Sequence, residues 1–198
     1  MKEGARRKYE MRARADAARA THDAIVDAML EAVRDGWYDD IKLQDIARTA
    51  GVSVQTVLRR FGSKDGLLEA AVGQVAARLE EMAQVDAGDT SSALHKTIER
   101  YEWMGDANFR LAAQEDRIES IGEVCRTGRA THRAWLERAF APHLPKKGRL
   151  RERRILQLLL VFDVYAWRLM RREQGASKRA TEAALAELME AVLALPKE

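Results

Sequence analysis

Residues 43–61 read LQDIARTAGVSVQTVLRRF. Leu43, Ile46, Ala47 and Ala50 fall at helical spacing and predict a helix over 43–50. Gly51-Val52-Ser53 reads as a tight turn, with Gly51 supplying the positive φ a sharp reversal needs. A second helix is expected over 54–61, with Ser53 as its N-cap. Ala47 is small where the two helices must approach, and Ile46 and Val57 face each other across the pair. Two helices joined this way form a helix-turn-helix, whose second helix can enter a major groove about 12 Å wide. Its outward residues are expected to be Val54, Gln55, Thr56, Arg59 and Arg60. Gln can pair bidentately with adenine and Arg with guanine, while the hydroxyls of Ser53 and Thr56 suit phosphates. Lys42 and Arg48 are further candidates for phosphate contact. Lys64, at the start of the next helix, adds its charge to a positive dipole end. Between Ile41 and Lys64 five basic residues face one acid, a local balance of +4.

Outward from this segment the chain reads as helices throughout. One is expected over 16–34, with Gly36 as a left-handed stop, and another over 64–85. A Gly/Ser/Asp-rich stretch at 86–92 suggests a boundary. Five more are expected over 92–104, 108–118, 121–141, 150–174 and 178–195. The fold class is therefore all-α, with about nine helices. The expected organisation is a basic arm at 1–15, a DNA-binding domain at 16–86 and a helical domain at 87–198. Residues 1–19 hold seven basic and three acidic side chains, so the arm exceeds the net charge of the whole 198-residue chain, +3. Such an arm is either a solvated tail or one that lies on nucleic-acid phosphates or in a minor groove.

Composition supports helices and removes other classes. Ala is about a sixth of the chain, and only three Pro occur. One Cys cannot build a disulfide framework, so a reducing compartment, the cytoplasm, is expected. The four His have no ligand spacing, so no metal site and no cofactor are expected. The apolar stretch from Ile155 to Trp167 is interrupted by Gln157 and Asp163 and is too short to span a bilayer. No nucleophile–base–acid set and no phosphate-binding Gly loop is present, so catalytic residues are not expected and the chain is not read as an enzyme.

The run from Asp35 to Leu68 resembles the DNA-binding domain of TetR-type (tetracycline-repressor-like) transcriptional regulators. The match lies in Gly36, the IA pair at 46–47, AGVS at 50–53, Thr56, Val57, Phe61, Lys64 and Leu67-Leu68. The sequence departs from the family at three points. Leu58 stands where a phosphate-contacting Tyr is usual, Arg60 where His or Tyr is common, and Lys42 where a Ser or Thr often caps the helix. The resemblance implies a homodimeric regulator that binds a palindromic operator. It also implies that the C-terminal helices form the dimer and often a pocket for a small-molecule effector.

No specific motif marks the second half, so its residues are read physically. Leu156, Leu159, Leu160, Leu185, Leu188 and Val192 are expected at a dimer seam or the core beside it. Tyr101, Trp103, Met104, Phe109, Cys125, Trp135, Phe162, Asp163 and Trp167 are candidates for a pocket. Asp163 lies inside an apolar run, where a carboxylate needs a partner. Arg168 or another helix's Arg is the expected one, and a cationic ligand is the rival. The expected function is a repressor released from its operator by an effector. The alternative is an effector-independent, architectural DNA-binding protein with a filled C-terminal core.

Overall fold

The computed structural model describes residues 2–196, with side-chain surroundings from residue 11 on except at Ala77. Among the described residues it contains nine α-helices and no strand. None is long and apolar enough to cross a membrane. The chain forms two compact units, 1–76 and 77–198. The division falls before the expected 86–92 boundary.

The first unit begins with α1 (Lys2–Asp35). The arm expected over 1–15 is thus helical from Lys2, and Met1 lies outside the described residues. The physical reason is composition: Ala and Arg are good helix formers, and extending an existing helix costs far less than nucleating one. Every side chain from Met11 to Ala20 is exposed, whereas Ile25, Val26, Ala28, Met29 and Val33 are buried. Gly36 follows, and its φ is not positive, contrary to expectation. A 3-10 turn (Tyr38–Asp40) leads to α2 (Leu43–Thr49), α3 (Val54–Phe61) and α4 (Lys64–Met82). α1 packs on α2 and α2 on α3, and Leu67, Leu68, Ala71 and Val75 of α4 are also buried.

The second unit holds α5 (Thr90–Ala112), α6 (Glu119–Ala139), α7 (Arg149–Val161), α8 (Val164–Arg168) and α9 (Lys178–Leu193). A π-helical turn, Leu169–Glu173, extends α8. α5 packs against α6, α8 and α9, while α7 packs against α6 and α9. Two expected helices, 92–104 and 108–118, are one. Gly105 does not break it, because it is the seat of an indole: a Cβ there would come within 2.5 Å of the Trp167 ring. One expected helix, 150–174, is two, because Asp163 ends one and starts the next.

Candidate nucleic-acid interface

The turn between α2 and α3 is closed by backbone geometry. Gly51 has φ +66°, and the Val52 N–H donates to the Ala47 carbonyl at 2.9 Å. Ser53 is extended, and its Oγ accepts the Thr56 N–H at 3.2 Å. The two hydroxyls, 3.0 Å apart, also hydrogen-bond each other. Val57 is fully buried, and Ile46 and Ala47 nearly so, so α3 is held rigidly on α2. The Phe61 ring at the end of α3 lies 5.0 Å from the His22 ring of α1.

What α3 leaves outward is Gln55, Leu58, Arg59 and Arg60, all exposed, with Val54 and Thr56 half-buried beside them. Gln55 and Arg59, four residues apart, share one face. Arg59 and Arg60 make no ion pair among the described residues. Leu58 is 41% exposed, an apolar side chain in a ring of polar ones. Lys42 is exposed at the N-cap of α2 and makes no side-chain cap. Arg48 is also exposed but pairs with Asp45 at 2.7 Å.

Lys64 is engaged within its own unit. Its Nζ donates to the carbonyls of Tyr38 and Ile41, at 2.9 and 3.1 Å, and lies 4.2 Å from the centre of the Tyr38 ring. Next to it the Tyr38 hydroxyl donates to Asp65 Oδ1 at 2.5 Å. The ammonium thus clamps the 3-10 turn to the start of α4. Sequence reading missed Tyr38 because an aromatic in a short loop carries no periodic signal. The paired acid and base at 64–65 were the available clue.

Five of the nine pocket candidates are buried. Tyr101, Trp135, Phe162 and Trp167 belong to the packed core, and Met104 is buried. The Tyr101 hydroxyl donates to the Phe162 carbonyl at 2.7 Å, and burial pushes its pKa up. Trp135 Nε1 donates to the Ala83 carbonyl at 2.6 Å. Trp167 Nε1 donates to Glu102 Oε1 at 2.9 Å. Trp103 and Phe109 are half-buried under guanidinium groups, Arg78 at 4.1 Å and Arg168 at 3.8 Å. Cys125 is half-buried, and burial followed by Glu115 raises its thiol pKa. Asp163 pairs with no Arg among the described residues: it is the N-cap of α8, accepting the Tyr165 N–H at 2.7 Å. Arg168 instead faces Asp106 at 3.4 Å and Glu173 at 3.8 Å.

The six seam candidates divide. Leu156, Leu160 and Leu188 are 61%, 72% and 50% exposed. Leu159 and Val192 lean on the core, and Leu185 is inside it.

The comparisons with known proteins agree with this geometry. The family of bacterial regulatory proteins described as the tetR family matches residues 25–71. The HTH-type transcriptional regulator AlkX of Mycobacterium tuberculosis is 39% identical over 66 residues, 33% of this chain and 31% of that protein. The HTH-type transcriptional regulator BetI of Escherichia coli is 29% identical over 140 residues, 69% of this chain and 64% of that protein. The chain thus spans less than two thirds of the length of either relative. A transcriptional regulator of solved structure from Rhodococcus sp. RHA1 has the same fold, with a TM-score of 0.67 at 21% identity over 88% of this chain and 99% of that one. Residues 25–71 thus match the tetR family of bacterial regulatory proteins, and the chain as a whole shares its fold with that solved regulator.

Proposed function

We propose that this chain is a cytoplasmic transcriptional repressor that binds a palindromic operator as a homodimer, with α3 of each subunit in successive major grooves. The observation that carries this reading is α3 itself. It is fixed from behind by Val57 and offers Gln55, Arg59 and Arg60 to the outside. In this reading Gln55 and the two Arg read base edges or grip phosphates. Ser53, Val54, Thr56 and Leu58 contact the backbone or base methyl groups, and Lys42 and Arg48 flank them. The exposed Leu156, Leu160 and Leu188 supply an apolar surface for the second subunit. Half-sites should lie about 34 Å apart, or a multiple.

Release by a small molecule in the second unit completes the mechanism. The effector must favour a dimer geometry that cannot span both half-sites. The filled aromatic core supports a second reading, an effector-independent DNA-binding protein, and a thermal-shift screen against small molecules separates the two. Selection of bound DNA from a random pool, at two salt concentrations, tests the main proposal. A palindromic consensus whose preference survives the higher salt is the expected result. Binding without sequence preference that collapses as salt rises overturns it.

A further inference from the structure

The side chains of α3 form strips along the helix, each a pair four residues apart: Val54 with Leu58, Gln55 with Arg59, and Thr56 with Arg60. The Gln55–Arg59 strip is exposed and lies opposite the buried Val57. The Thr56–Arg60 strip flanks it on one side, with the Thr56 hydroxyl held 3.0 Å from that of Ser53. The Val54–Leu58 strip flanks it on the other and is wholly hydrocarbon. Val54 is half-buried, and Leu58 is exposed.

A single exposed Leu on an ordinary surface needs no account. Leu58 differs in its position, three residues from Gln55 and next to Arg59, on the element that the regulator reading sets against base edges. No acid stands on α3. An apolar protein partner would have to strip water from Arg59 and Arg60 without supplying an anion, which is costly. The surroundings therefore suit a polyanion, and Leu58 must meet an apolar feature of it.

Leu58 has no hydrogen-bonding atom in its side chain. It cannot hold a phosphate oxygen, and it cannot answer a donor or an acceptor on a base. Over cytosine it would cover the amino group, and over adenine or guanine N7, without replacing the water displaced. One base offers the major groove an apolar feature, and that is the C5-methyl group of thymine.

We propose that Leu58 is a specificity residue of this chain, which reads a thymine in each half-site through its methyl group. The proposal rests on the regulator reading above and sharpens it, from contact with DNA backbone or methyl groups to one base.

The test uses the full chain and the duplex that selection from a random pool returns, with each thymine replaced in turn by deoxyuridine. The replacement removes one methyl group and leaves the hydrogen bonds of the base pair in place. At one thymine per half-site, deoxyuridine should weaken binding by about fourfold, the loss that one buried methyl group gives. Leu58→Ala should bind the thymine duplex more weakly by a similar factor and no longer distinguish it from the deoxyuridine duplex. Its circular dichroism should match that of the parent chain, since Leu58 is exposed. Should that variant not fold, Leu58→Gln must lose the same distinction. The proposal is overturned if no thymine gives more than about a twofold effect. It is also overturned if the folded variant keeps the parent's preference, which would assign the methyl contact to Val54 or Thr56. A consensus with no deoxyuridine effect removes the thymine contact alone and leaves Leu58 against the sugars. Selection that returns no consensus removes the regulator reading, and the thymine contact with it.

Discussion

Lys64 and Arg60 stand close in sequence, carry the same charge and do different things. Lys64 spends its ammonium on two carbonyls, so Lys64→Met should lower stability by about 1–2 kcal/mol, read as a fall in the denaturant midpoint. Arg60 touches no acid among the described residues. Arg60→Ala should leave that midpoint in place, weaken operator binding by about 1–3 kcal/mol and, if the contact is to phosphate, reduce the salt slope by about 1. A second residue-scale effect belongs to His132, whose pKa falls from its usual 6.5 to about 4 on folding. The unfolded chain takes up this proton below about pH 6.5, while the folded chain resists until about pH 4. The imidazole's contribution is thus complete above pH 6.5 and drains away as pH falls toward 4, in all about 3 kcal/mol. Urea titrations at pH 7 and pH 4.5 should show the loss, and His132→Asn should flatten it. The groups facing the ring are Arg100, the Phe162 carbonyl and the Trp135 indole, and none of them titrates in that window.

Within elements, two glycines of α4 make a matched pair. A Cβ on Gly66 would lie 2.2 Å from the Phe61 carbonyl oxygen, where α3 ends against the start of α4. A Cβ on Gly73 would meet nothing within 4 Å. Gly66→Ala should destabilise by about 1–3 kcal/mol, and Gly73→Ala should stabilise by about 0.5–1 kcal/mol. Thermal melts of the two variants should move in opposite directions. This distinction was not legible in the sequence, since both glycines sit in one helical pattern. The turn of the recognition segment was legible in the sequence, because each of its signals is local: an Ala at a close approach, a Gly at a reversal, a Ser at a cap; the outward set was not, since Val54 and Thr56 are half-buried and Leu58 is exposed. The second unit was less so. Its helix count came out right through two errors of opposite sign, at Gly105 and Asp163, and each has a tertiary cause or a capping cause that periodicity does not carry. Asp163 stands in an apolar run yet serves its own backbone two residues on, a local bond that competes with helix continuation. The pocket candidates were chosen as aromatic, and aromatic residues are also what a core of this size uses to fill itself.

For the whole molecule, the seam candidates separate folding from assembly. Leu185 is in the core, so Leu185→Ala should cost about 2–5 kcal/mol of fold stability. Leu160 is 72% exposed, so Leu160→Glu should leave the melt unchanged, weaken the proposed dimer by more than about 1 kcal/mol and shift sedimentation toward monomer. Operator affinity should fall with it, since one subunit grips only one half-site. The first helix is also held unevenly along its length. From Met11 to Ala20 the first helix has no side chain packed away from water, and Arg12, Arg14 and Arg19 lie along it. A helical stretch without tertiary contacts opens at little free-energy cost. Trypsin should therefore trim the chain at these arginines before it cuts either compact unit, leaving a shortened protein that keeps the turn and its reading helix but has shed a row of positive charge. Comparing trimmed with intact protein on the same duplex would then weigh, in a single digestion, what that row adds to residence on DNA.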